Sequence, residues 1–215
     1  MSLDQDIGTL KKVNNFYWPE KDIDCQAVVF NTTKDIDKAM KYVKDTKCVI
    51  QAGGNCGVWP KYLAGKFDNV YTFEPDATNF HCLCLNVTEP NVYKFQAALG
   101  IQGGQINLEG DVKNCGAHFV SPNERGAAIP MVRLDDLNLS PDLVILDIEG
   151  YELNALKGAI LTLIRHKPVL QLENKGLSDK YGTTAEDLER FLEAQDFEIV
   201  DKVHRDIIAC HKSLL

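Results

Sequence analysis

The sequence has no long hydrophobic run, no run of lysines or arginines, no internal repeat and no low-complexity tract. No stretch approaches the roughly eighteen apolar residues that a membrane helix needs, and the opening "MSLDQDIGTLKK" has no apolar segment behind a basic start. Neither a membrane span nor a secretory signal is expected, so a soluble, cytoplasmic chain without a membrane partner is. The net charge is −8 and the pI about 5.1. A nucleic-acid binder needs a basic footprint to neutralise phosphates, and none is legible, so nucleic acid is not an expected partner. The seven cysteines, at 25, 48, 56, 82, 84, 115 and 210, are odd in number and irregular in spacing. They read as reduced, mostly buried thiols and not as a disulfide framework. Cys82 and Cys84, two apart on a helix, would not face each other, and no histidine pairs at metal-ligand spacing, so no metal is assigned.

What the sequence does carry is a regular alternation of strand and helix signals. With 215 residues, 45% hydrophobic and 25% charged, it has the make-up of one globular domain. "CVIQA" (48–52) reads as a buried strand, and a short helix over 58–66 tolerates Pro60 in its first turn. "NVYTFE" (69–74) and "VYKFQA" (92–97) are the next strands. They flank a helix with Asp76 as N-cap and Phe80, Leu83, Cys84 and Val87 on one face. From 100 to 133, glycines punctuate short β-like pieces, "QINL", "AHFV" and "IPMVR", the texture of an antiparallel β insertion. "DLVILDIEG" (142–150) has the pattern of a central strand covered on both faces. Leu153, Leu156, Ile160, Leu163 and Ile164 then mark one helix ending before Pro168. "PVLQLE" (168–173) is a fifth strand, and Thr184 caps a helix carrying Leu188, Phe191 and Leu192. "FEIVDKV" and "DIIAC" close the chain as a C-terminal antiparallel hairpin across His204 and Arg205. This order predicts an α/β fold over 48–215 with a mostly parallel, doubly wound sheet. Residues 1–47, with a strand at 25–30 and a helix at 35–44, are expected to be an N-terminal extension packed on the same core.

In an open parallel sheet, ligands collect beyond the carboxyl ends of the strands. Gly53-Gly54-Asn55-Cys56-Gly57 forms such a corner, where glycine permits positive φ and the following helix offers free amides. It is not the dinucleotide fingerprint, because Asn55 and Val58 stand where G-x-G-x-x-G needs glycine. Glu74 closes the second strand about 20 residues on, the spacing at which a carboxylate reaches a bound ribose. The corner and Glu74 together indicate nucleoside binding.

Q-A-G-G-N-C-G (51–57) resembles the D-x-G-x-N-x-G opening motif of FkbM-type methyltransferases. "YTFEPD" (71–76), "QAALG" (96–100), "VRLDDL" (132–137), "LDIEGYELNALKGA" (146–159) and "KPVLQLE" (167–173) are similar, in order, to that family's further blocks. The resemblance implies a Rossmann-like class I methyltransferase fold and S-adenosylmethionine as cofactor. It also implies methyl transfer to an oxygen of a small molecule or sugar; nothing in the residues selects oxygen over nitrogen. By the same resemblance Gly53, Asn55 and Gly57 would line the methionyl side, Glu74 would bind the ribose, Pro75 and Asp76 would flank the adenine, and Gln96 and Ala97 would border the base. Gln51 replaces the family's acidic residue. An amide accepts a hydrogen bond without bringing charge, so weaker affinity for the methionyl ammonium is expected.

Asp147 and Glu149 lie two apart and would share a face if the strand ran through both; Glu173 ends the neighbouring strand. These three are the candidate catalytic residues, with Asp147 also facing the cofactor. They could orient cofactor and acceptor, take a proton from an attacking hydroxyl, hold a hard cation such as magnesium, or merely cap the next helix. His118 in the insertion reads as a solvated loop histidine and Tyr151 as a packing residue. The insertion and the extension are expected to shape the acceptor pocket. A non-catalytic nucleoside-binding module is the alternative function, a nicotinamide-dependent oxidoreductase a remoter one. Nothing in the composition excludes a homo-oligomer.

Overall fold

The computed structural model describes residues 9–111, 113–123 and 125–215. Residues 1–8 of the expected N-terminal extension lie outside the described residues. The extension starts with a hairpin, β1 (Leu10–Val13) and β2 (Phe16–Pro19), and continues with helices α1 (Cys25–Val28) and α2 (Thr33–Met40). The strand expected at 25–30 is therefore a short helix followed by a 3-10 turn over Val29–Asn31. Asp22 explains the correction: its carboxylate accepts the amides of Cys25 and Gln26, which starts a helical turn regardless of the β-branched residues that follow.

The alternation of strands and helices is as the sequence predicts. In chain order come β3 (Cys48–Ala52), α3 (Val58–Ala64), β4 (Asn69–Phe73), α4 (Ala77–Asn86) and β5 (Val92–Phe95). The insertion supplies β6 (Ala98–Leu99), β7 (Gly104–Asp111), β8 (Asn114–Val120) and β9 (Ala127–Val132). The remainder is β10 (Leu143–Leu146), α5 (Glu152–Lys157), α6 (Ile160–His166), β11 (Val169–Glu173), α7 (Ala185–Ala194), β12 (Phe197–Val203) and β13 (Asp206–His211). Seven strands form one sheet in the order β12-β13-β11-β10-β3-β4-β5, with β13 antiparallel to both its neighbours and the other pairings parallel. The insertion is a four-stranded sheet, β6-β9-β7-β8, antiparallel except for the short β6–β9 pair.

Strand residues alternate between two cores. Val49, Val70, Leu143 and Ile145 face the side covered by α2, α3 and α4; Ile50, Val144, Leu146 and Leu170 face α5, α6 and α7. Asp76 caps α4 by accepting the Asn79 amide, and Thr184 and Asp187 form a reciprocal capping box at α7. The single helix expected over 153–164 is two. A Cβ at Gly158 would stand 2.0 Å from the Gly100 carbonyl oxygen, and the Asp135 carboxylate caps α6 by accepting the amides of Leu161 and Thr162. The apolar period runs unbroken through the break, so the pattern gave no warning of it. Among the described residues no helix is long and apolar enough to cross a membrane.

Candidate active site

A cavity of about 590 Å³ opens at the carboxyl ends of β3, β4 and β10. Its floor is the corner after β3. The amides of Gly53 and Gly54 both donate to the Phe73 carbonyl, at 3.0 and 2.9 Å, which turns the chain sharply off the sheet. Gly53 has φ +88°, and a Cβ there would lie 2.0 Å from the Asp147 carbonyl oxygen, so glycine lets β3 and β10 converge under the cavity. Gly57 has φ +96° at the start of α3, but its missing Cβ makes room for Val87 and not for a ligand.

Glu74 lines the cavity at the end of β4 and is only 4% exposed. Its two oxygens accept the amides of Asn55, at 2.6 Å, and Asp76, at 2.8 Å. Burial pushes its pKa up to about 8; the Asp76 charge adds to the shift and the two amides oppose it. Each oxygen keeps a free lone pair, so the carboxylate is fixed in place yet able to accept further hydrogen bonds.

Gly53, Asn55, Glu74, Pro75, Ala97 and Asp147 line this cavity. Gln51, Gly57, Asp76 and Gln96 do not. Gln51 is fully buried, donating through Nε2 to the Ala52 and Gly53 carbonyls and accepting at Oε1 from the Thr72 hydroxyl. The contact expected between Gln51 and a methionyl group is thus replaced by an internal knot beneath the floor. Asp76 spends one oxygen on the cap of α4, Oδ2 lies 3.5 Å from His118 Nδ1, and Gln96 points to solvent. His118 is not a solvated loop residue. It sits on β8 against Gly110 and lines the cavity with a side chain 18% exposed.

At the other end of the cavity, Asp147, Glu149 and Glu173 bring carboxylate oxygens within 4.8 Å of one another. Asp147 and Glu149 do not share a strand face, because β10 stops at Leu146 and Glu149 has φ +57°. Asp147 and Glu149 line the cavity, whereas Glu173 is set behind it and buried. The Lys175 ammonium meets Glu173 Oε1, and among the described residues Oε2 has no hydrogen-bond partner. Burial first, then the charges of Asp147 and Glu149, raise the pKa of Glu173; Glu149 is raised by burial and by Asp147. The residue that ties off the turn into α5 is Glu152, whose Oε1 accepts the amides of Ile148 and Gly150. Three oxygens at this spacing have the donor set of a hard cation, yet Lys175 already supplies a positive charge among them. Tyr151 packs edge-on against Tyr181, ring centroids 4.9 Å apart.

The cavity also takes in Cys25, Thr32, Trp59, Cys115, Lys175 and Arg205. Trp59 Nε1 donates to Thr32 Oγ1 at 2.8 Å, fixing the extension over α3. No local pattern marks these residues, since they come together from the extension, α3, the insertion, the loop after β11 and the last hairpin.

The sequence profile of the Methyltransferase FkbM domain matches residues 51–199. The chain belongs to that family. A solved structure of methyltransferase FkbM from Methylobacillus flagellatus KT is similar to it at 22% identity and TM-score 0.58, covering 77% of this chain and 44% of that one. This FkbM chain therefore spans less than half the length of that relative. Precorrin-6y C5,15-methyltransferase from Geobacter metallireducens GS-15 is similar at 15% identity and TM-score 0.50, over 96% of this chain and 99% of that one. No curated protein sequence matches. At these identities the likeness establishes the fold, a Rossmann-like class I methyltransferase architecture, and leaves the substrate to be argued from the site.

Proposed function

We propose that this FkbM chain transfers a methyl group from S-adenosylmethionine to an oxygen atom of a small molecule or sugar. The observation that carries the reading is Glu74. It is a buried carboxylate at the end of the second parallel strand, held by two backbone amides and facing a cavity of about 590 Å³, with lone pairs left for a ribose diol. Pro75 and Ala97 would flank the base, and Gly53 and Asp147 would border the methionyl end. The bound sulfonium supplies an activated methyl group. The protein's part is to hold the acceptor in line with it and to keep water out. Glu149 faces the cavity with its pKa raised by burial and by Asp147, which suits it to take a proton from an acceptor hydroxyl. Glu173, behind it, would act by crowding that charge and not by touching substrate.

The test is to follow the melting temperature while titrating S-adenosylmethionine, S-adenosylhomocysteine and NAD, since a ligand held only by the folded chain raises it. Stabilisation by the first two is expected; stabilisation by NAD alone would overturn the reading. Appearance of S-adenosylhomocysteine with a hydroxylated acceptor is the expected second result. Tight binding with no turnover over a panel of acceptors would favour a nucleoside-binding module instead.

A further inference from the structure

The extension and the inserted sheet meet at the cavity through two cysteines that the proposed methyl transfer does not use. Cys25 opens α1, Cys115 lies on β8, and both line the cavity. One carboxylate oxygen fixes both backbones: Asp22 Oδ1 accepts the Cys25 amide at 3.3 Å and the Cys115 amide at 2.9 Å. One side chain touches both sulfurs. Asn55 donates through Nδ2 to Cys25 Sγ at 3.6 Å, and Cys115 Sγ donates to Asn55 Oδ1 at 3.8 Å. A Cβ on Gly116 would crowd Cys25 Sγ at 3.1 Å, so glycine leaves the room that this sulfur fills beside β8. Thiol donors, Cys25 first and then Cys56, hold Cys115 below the ordinary thiol range against burial and the Asp22 charge, while Cys25 is raised. The thiolate is the nucleophile in disulfide exchange, which makes Cys115 the attacking sulfur and Cys25 the resolving one.

We infer that Cys25 and Cys115 are a covalent modification site, at which a small-molecule disulfide oxidises the pair and staples the extension to the inserted sheet across the cavity. The Cys115 thiolate attacks one sulfur of the reagent, and the other half leaves as a thiolate that takes up a proton. The Cys25 sulfur, giving its proton to solvent, then attacks the Cys115 sulfur of the mixed disulfide and releases the second half as a thiol. The dithiol loses two electrons and two protons, that of Cys115 having left on forming the thiolate; the reagent takes up both and is reduced to two thiols. Cys56 does not compete, because it is fully buried, lies off the cavity and directs its thiol to Asn79 Oδ1 at 4.0 Å. The new bond ties together the two sulfurs that contact the Asn55 side chain, and the Asn55 amide is one of the two that position Glu74. Oxidation thereby reaches the nucleoside carboxylate.

The experiment is to incubate the reduced full chain with 2-hydroxyethyl disulfide, quench with acid, alkylate and map the peptides by mass. The expected result is the loss of two titratable thiols, a mass lower by two hydrogens, and the Cys25 and Cys115 peptides joined before any other pair, all reversed by dithiothreitol. The Cys25→Ser variant is expected to stop at a mixed disulfide on Cys115; should it fail to fold, the map of the unaltered chain still decides. The oxidised chain is expected to bind S-adenosylhomocysteine about tenfold more weakly, the scale of one hydrogen bond to a charged group. A first cross-link between any other pair, a lasting mixed disulfide on the unaltered chain, or seven unreacted thiols in folded protein would overturn the inference. The map does not depend on the cofactor, so a staple that forms in a chain with no affinity for S-adenosylhomocysteine upholds this site and faults the methyltransferase reading alone.

Discussion

Glu74 and Glu173 occupy equivalent places, each at or just beyond the carboxyl end of a parallel strand, each buried, each with its pKa raised chiefly by burial. Their surroundings differ. Glu74 is held by two backbone amides, whereas Glu173 is paired with the Lys175 ammonium and crowded by two more carboxylates. A carboxylate pinned by amides is already oriented for a neutral partner that donates hydrogen bonds, such as a diol. One paired with an ammonium and crowded by other carboxylates is set by the ionic balance around it and responds when that balance changes. The same residue type at the same place in the fold is thus fixed by backbone amides at one end of the cavity and by an ion cluster at the other.

The largest expected effect breaks the first half of this contrast. Glu74→Gln turns an amide nitrogen toward a backbone donor and loses the charged acceptor, so above about pH 8, where Glu74 is ionised, S-adenosylhomocysteine affinity is expected to fall about 100-fold, the scale of one or two charge-assisted bonds, by calorimetry. Lys175→Met breaks the second half: it strips the counter-charge from three crowded carboxylates and is expected to lower stability by about 2 kcal/mol in urea, discounted because the lysine is partly exposed. It leaves cofactor affinity nearly unchanged, which Glu74→Gln does not.

A smaller effect follows from pH. Glu74, Glu152 and Asp206 have folded-state pKa values pushed up to about 8, 7 and 6, in each case chiefly by burial. Between the ordinary carboxyl range and those values the folded chain binds more protons than the unfolded one, so its stability is greatest in acid and falls as pH rises toward about 8. A melting temperature that declines over that window, with a shallower slope in Glu74→Gln, is the expected outcome; a flat profile would contradict it. The smallest effect concerns Gln51. Because its side chain is tied to Thr72 beneath the floor, Gln51→Asp is expected to leave S-adenosylhomocysteine affinity within about threefold while costing about 1 kcal/mol of stability through the lost bond. A tenfold gain in affinity would show that position 51 reaches the cofactor after all.

Much of this was legible in the chain itself. The apolar run 143–146, the Asp76 and Thr184 caps and the two-residue gap at His204 and Arg205 each follow from a local rule, and the structure contains the elements they imply. The glycine corner and Glu74 were legible for the same reason, since a bare turn after a strand and an acid at the next strand's end are set by sequence spacing. The helix at 25–28 was not, because the side chain that starts it, Asp22, also binds Cys115 far along the chain. Nor was the break at Gly158, which depends on the Gly100 carbonyl.

The sequence by itself determined most of the strand and helix order, the family and the acid at the cavity end of β4, because hydrophobic period, capping and motif spacing act over a few residues. The tertiary structure alone decided that Gln51 turns into the core, that His118 and Cys115 are carried to the cavity wall, and that Asp147 and Glu149 crowd Glu173. These depend on contacts between segments distant in the chain, where packing and desolvation outweigh any local preference.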